Sequence, residues 1–159
     1  MKITDFIGEA TEYDKKEMME ERKPRSWLKS VSAFANGIGG ALIFGVSNDE
    51  ILVGLMDARA VSEKISETIK TKMDSIPQVI MEIHTEDEKD FIILKVLPGQ
   101  ETPYYYVADG NRVAYVRVGN ESIPADATAL KRLVLRGTNM TYDSVVSSYA
   151  LQDFSFTKL

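Results

Sequence analysis

The chain has 159 residues, with 19 Lys plus Arg, 24 Asp plus Glu, one His and no Cys. That length suits one folded core, since single domains run to roughly 100–200 residues, and the lack of Cys excludes disulfides, thiolate metal sites and a Cys nucleophile. A net charge of −5 excludes a uniformly basic surface of the kind that coats nucleic acid.

The start of the chain carries no apolar signal core. Its longest apolar runs, such as Gly39 to Val46, fall far short of the ~20 residues a membrane helix needs. A cytoplasmic domain with no membrane partner is expected. Residues 11–17 are polar, with Tyr13 as the anchor of a short strand. Pro24 suits the first turn of a helix, where its missing N–H is no loss. From there Trp27, Leu28, Val31, Phe34 and Ala35 recur at helical spacing and form one buried stripe. Asn36-Gly37 ends that helix, with its glycine expected at the positive φ that favours Gly or Asn. Ala41 to Val46 is a continuous apolar run short enough for a buried strand. Ser47 to Glu50 makes a turn, and Ile51 to Leu55 returns as a second strand.

Asp57 caps a second helix, in which Val61, Ile65, Ile69 and Met73 repeat every four residues, and Pro77 closes that unit. Val79, Met81 and Ile83 then alternate inward, which turns His84 outward as an exposed strand residue. Glu86 to Asp90 forms the solvated loop of a hairpin, and Phe91 to Leu97 is apolar almost throughout. Tyr104 to Val107 and Val113 to Val118 flank Asp109-Gly110, a strong hairpin signal. A last helix over about 125–136 places Leu130, Leu133 and Val134 inward. Residues 137–159, rich in Ser, Thr and Tyr with weak periodicity, read as an extension leading to a further domain. The order is helix, two strands, helix, four strands, helix. It predicts an α/β protein of the two-layer α+β kind, with a mixed, mainly antiparallel sheet and about three packed helices.

Three clusters carry candidate chemistry. Glu9, Glu12, Asp14 and Glu17 lie beside Lys15 and Lys16. In an extended segment Glu12, Asp14 and Lys16 share one face. Gathered carboxylates can hold Mg²⁺ or Mn²⁺, and such an ion can activate water against a phosphodiester; a charge-mixed solvated segment is the plainer reading. Asn36, Gly37, Gly39 and Gly40 resemble a phosphate loop only superficially. Here the helix precedes the glycines, so its negative end faces them, and a structural turn is expected. Arg22, Lys23, Arg25 and Lys29 form a basic cluster suited to phosphates. Trp27 among them is a stacking platform or, at this spacing with Val31 and Phe34, a core residue. Arg117 at a strand end suits a carboxylate or a phosphate.

One resemblance joins these stretches. Gly8-Glu9, Asp14 and Lys16, the run Ser32-Ala-Phe-Ala-Asn-Gly-Ile-Gly-Gly-Ala-Leu-Ile-Phe-Gly-Val46, Val53-Gly-Leu55, Pro103-Tyr104 and Tyr115-Val-Arg-Val-Gly119 occur in order. In them the chain is similar to the Schlafen AlbA-like domain family (AlbA_2), over roughly residues 8–136. The resemblance implies a domain at 1–136, with 137–159 leading onward. It also implies the N-terminal module of a larger bacterial transcriptional regulator or ATP-dependent helicase-like protein. Many bacterial members are regarded as DNA-binding modules. Some eukaryotic members cut tRNA and rRNA through a metal-binding carboxylate triad. Carried over, that triad falls on Glu9, Asp14 and Asp49, with Mg²⁺ or Mn²⁺ as its ion. Asp14 is shorter than the family's usual Glu, and Ser47 and Asn48 stand in usual acidic places.

The leading expectation is therefore a non-catalytic module that needs no cofactor. It would hold DNA or RNA through Lys16, Arg22, Lys23, Arg25, Lys29 and Arg117, mainly at the backbone. The second is a metal-dependent RNase using Glu9, Asp14 and Asp49, with Lys16 steadying transition-state charge. The third is an interaction module, homo-oligomeric or otherwise, that meets its partner through a sheet edge or Tyr104-Tyr105-Tyr106.

Overall fold

The computed structural model describes residues 13–138; Glu9, Glu12 and residues 139–159 of the extension expected over 137–159 lie outside the described residues. β1 (Tyr13–Lys16) is polar, yet it pairs in parallel with β2 (Gly40–Phe44), Tyr13 opposite Ala41 and Lys16 opposite Phe44. β5 (Lys89–Val96) runs antiparallel along the other side of β2, and β4 (Val79–Glu86) closes the sheet, giving the order β1-β2-β5-β4. β4 and β5 meet at a two-residue turn in which Asp87 and Glu88 take φ of 53° and 62°, as a type I′ hairpin requires. The acidic loop expected over 86–90 is thus only this turn.

A second sheet holds β3 (Met73–Asp74), β6 (Tyr105–Ala108), β7 (Asn111–Val118) and β8 (Glu121–Pro124), all antiparallel. Asp109-Gly110 makes the anticipated turn, with φ of 52° and 78°. The α+β class and its mixed, mainly antiparallel pairing hold. The strands divide into two sheets of four, because β3 and β8, both too short to pattern, complete a separate layer.

α1 (Arg25–Asn36) lies between the sheets, touching β2 and β5 on one side and β6, β7 and β8 on the other. That position explains why Trp27, Leu28 and every residue from Ser30 to Asn36 are buried. Trp27 packs edge-on against Phe44 with ring centroids 5.8 Å apart, so it is core. Burying such a ring contributes about 2–3 kcal/mol. α2 (Ala58–Lys72) starts where the Asp57 side chain accepts from Ala60 N at 3.1 Å, and it buries Ile65 and Ile69. α3 spans 127–138 of the described residues, its first turn capped by Asp126, which accepts from Ala129 N at 2.8 Å. Among the described residues no helix is long and apolar enough to cross a membrane.

Four expectations are corrected. Ile51 to Leu55 is no strand, only the isolated bridges Val46–Leu52 and Leu55–Asp90, because Gly54 at φ 82° breaks the extended run. On β4, an edge strand, Ile83 is 48% exposed. His84, opposite Phe91 on the other face, is the partly covered one and sits 3.2 Å from Glu86 Oε1. Val134 is exposed while Leu133 is buried, since α3 packs along the line through Leu130, Leu133 and Gly137. Finally, the left-handed residue after α1 is Gly39 at φ 84°, whereas Gly37 has φ −117°.

Candidate nucleic-acid interface

A helix packed between two sheets must find partners for its buried polar side chains, and Ser32 and Asn36 of α1 find theirs on the second sheet. Ser32 donates to Tyr104 O at 2.7 Å and accepts from Tyr115 N at 3.0 Å. The Asn36 amide donates to Tyr115 O at 2.9 Å and to Tyr104 O at 3.2 Å, while its oxygen accepts from Tyr104 N at 2.7 Å. This network fixes β6 and β7 against α1, and so sets where the β7–β8 hairpin lies.

One turn earlier, Ser30 sits where α1 passes β1 and β8. Its hydroxyl donates to the Asp14 carboxylate. With that proton used, Ser122 is the donor in the 3.0 Å contact between the two serine hydroxyls. Arg117 on β7 then bridges the sheets. Nη2 reaches Asp14 Oδ1 at 2.7 Å, Nη1 reaches Asp14 Oδ2 at 3.2 Å and Ser122 Oγ at 2.9 Å, and the guanidinium lies 4.9 Å from the Phe34 ring centroid. The paired side chains are only 10% and 18% exposed.

Beside this pair opens a polar cleft of about 760 Å³ between β1, α1 and the β7–β8 hairpin. Four basic side chains, Lys15, Lys16, Lys29 and Arg117, line it against two acidic ones, Asp14 and Glu121. Lys15 is turned to Glu50 at 3.3 Å. Lys16 and Lys29 make no hydrogen bond or ion pair among the described residues. Burial holds the Lys16 ammonium below the usual lysine range. Asp14 works against that shift, and Lys29 and Arg117 add to it.

Of the six expected phosphate contacts, the cleft therefore gathers Lys16, Lys29 and Arg117. Arg22 and Lys23 are exposed on the connection from β1 to α1 and do not line it. Arg25 turns to the second sheet, donating from Nε to Tyr115 Oη at 2.7 Å. Asn48, Asn120, Ser30 and Ser122 also line the cleft; of these the sequence marks only Asn48, for its place beside Asp49. Gly119-Asn120 is a two-residue hairpin signal that would have placed two of the lining residues.

Of the expected triad, Glu9 lies outside the described residues, and Asp14 and Asp49 do not share one site. Asp14 is engaged by Arg117 and Ser30, and Asp49 lines a neighbouring depression instead of the cleft. Among the described residues no three His, Cys, Asp or Glu side chains are arranged to hold an ion. Asn36 and Gly37 end α1, and Gly39 packs on β5 and Pro98; a Cβ there would lie 2.8 Å from Val96 O. Of the three tyrosines, Tyr104 and Tyr106 are buried, and Tyr105 lies 5.7 Å under the Arg112 guanidinium.

A family model described as Schlafen, AlbA_2 matches residues 9–126. Comparison with curated proteins finds no match. Among solved structures, the DIP2311 protein of Corynebacterium diphtheriae is similar at 18% identity and a TM-score of 0.51, covering 72% of this chain and 24% of that one. The chain thus spans about a quarter of that protein's length. The N-terminal domain of a RecG-related protein from Nitrosomonas europaea is similar at 22% identity and a TM-score of 0.49, covering 72% of this chain and 82% of that domain.

Proposed function

Since the chain belongs to the Schlafen AlbA_2 family, we propose that it is a nucleic-acid-binding module that grips a sugar–phosphate backbone in the cleft between β1, α1 and the β7–β8 hairpin. One observation carries this reading. Lys16 and Lys29, two cations without a protein hydrogen bond or ion pair among the described residues, line one polar cleft beside a third, Arg117. Unpaired ammonium groups in one cleft suit polyanion binding, which rests on clustered charge and release of counterions. Arg22 and Lys23 are exposed outside the cleft, beside Glu20 and Glu21. The chain's net charge of −5 keeps the affinity modest and strongly salt-dependent.

The test is a titration of fluorescently labelled single-stranded and duplex DNA, and of single-stranded RNA, across a salt series. Binding should weaken linearly in log–log form. The Lys16→Gln/Lys29→Gln double variant should flatten the single-strand slope by about 1.4, or roughly 0.7 per lost phosphate contact. No binding at low salt, or a slope unmoved by the double variant, refutes the reading.

A further inference from the structure

Lys16 is unlike the other lysines of the sheet-forming part of the chain. Lys15 is paired with Glu50, Lys95 lies 3.5 Å from Glu82, and Lys89 donates to Leu52 O at 2.8 Å. Lys16, on β1 and partly buried, lines both the open cleft and the neighbouring depression that holds Glu20 and Asp49, with its Nζ bonded to nothing among the described residues. Lys29, on α1, lines the same cleft as a second cation with no bonded partner among the described residues, near enough for its charge to act on Lys16. An amine beside an anion-binding cation, in a cleft large enough for a small molecule, is the arrangement that presents an electrophile carrying a phosphate leaving group to a nucleophile.

We infer that Lys16 is a site of Nζ-acylation by small acyl phosphates, whose phosphate docks on Lys29. The neutral Nζ attacks the acyl carbonyl carbon. The C–N bond forms as the C–O bond to the phosphate oxygen breaks, inorganic phosphate departs, and the surplus proton of the amine passes to it. Two features favour the step. The partly buried ammonium gives up its proton more readily than an ordinary lysine does, and the Lys29 charge stabilises the departing phosphate. The product is a neutral amide that removes one of the cleft's cations. The chemistry itself needs no nucleic acid; only the consequence, weaker polyanion binding, rests on the function proposed above.

Acetyl phosphate is the probe. The full chain is incubated with it, digested and mapped by mass spectrometry, with exposed Lys131 as the internal reference. Lys16 should acetylate several-fold faster than Lys131. Inorganic phosphate added to the unmutated chain should remove that excess, and so should Lys29→Gln, while acetic anhydride, which carries no phosphate, should show a smaller preference. Lys16 reacting no faster than Lys131 overturns the inference. So does a Lys16 preference that neither phosphate nor Lys29→Gln reduces. The phosphate competition involves no substitution and so does not depend on how the variant folds.

Discussion

The Arg117 guanidinium holds both oxygens of the Asp14 carboxylate, at 2.7 Å and 3.2 Å, across 103 residues of sequence. The pair ties β1 of one sheet to β7 of the other, and it also places a negative charge beside the cations of the cleft. These two roles pull in opposite directions for a polyanion-binding module. Breaking a largely buried pair costs stability, while removing the carboxylate raises the positive potential that a phosphate meets.

Asp14→Asn separates them. The amide retains an acceptor for Ser30 or Arg117 but not the charge, so a loss of about 1–3 kcal/mol in urea unfolding is expected. At the same time single-stranded DNA should bind several-fold more tightly at low salt, measured by fluorescence anisotropy. A fall in affinity would mean that Asp14 itself contacts the ligand. An Mn²⁺-dependent tRNA cleavage that this variant abolishes would restore the nuclease expectation.

Much of the fold was legible in the sequence, because long periodic elements declare themselves. The stripe from Trp27 to Ala35, the Asp57 cap and the Asp109-Gly110 hairpin are local signals, and the structure realises each. What stayed hidden is set by distant partners. Ile83 and Val134 have core-like identities, yet exposure is decided by which elements lie over them. The cleft is hidden for the same reason. Asp14, Lys29 and Arg117 are widely separated residues whose meeting depends on Ser32 and Asn36 holding the second sheet in place. In sequence, Ser32 and Asn36 are simply polar residues on an apolar helix.

That dependence makes Asn36 a stability residue with reach into the site. Asn36→Ala leaves Tyr104 N and Tyr115 O without their side-chain partner in a dry interior, which should cost about 2–4 kcal/mol. Asn36→Asp should cost more, since it sets an acceptor against the carbonyls of Tyr104 and Tyr115. Urea midpoints at neutral pH rank the three proteins. Equal stability of the Ala and Asp variants would show that the amide donor is not what holds the sheet.

The glycines offer a paired comparison. Gly39 and Gly110 both have positive φ, 84° and 78°, so Ala at either carries the left-handed penalty of about 1–2 kcal/mol. A Cβ at Gly39 also meets Val96 O at 2.8 Å and Pro98 Cδ at 2.9 Å, whereas one at Gly110 meets nothing within 4 Å. Gly39→Ala should therefore lose about 2 kcal/mol more than Gly110→Ala. The difference in thermal or urea stability between the two variants isolates the contact term, and no difference would mean that the 39–40 turn relaxes away from β5.

Lys16 gives the stability a pH dependence at the alkaline end. Burial lowers its pKa beneath the ordinary lysine value of 10.5, so folding disfavours its charged form. Between the lowered value and 10.5 the unfolded chain binds more protons than the folded one, and stability rises with pH across that window. Below the window the whole penalty is present. Lys16→Met removes it, so the variant should melt higher than the parent at neutral pH, and its advantage should shrink as the pH climbs toward 10.5. The same substitution should weaken single-stranded DNA binding at every salt concentration, because a cleft cation is gone. A variant that is less stable at neutral pH, or whose advantage does not change with pH, would show that Lys16 is held by a favourable contact and is not kept in the cleft at a cost.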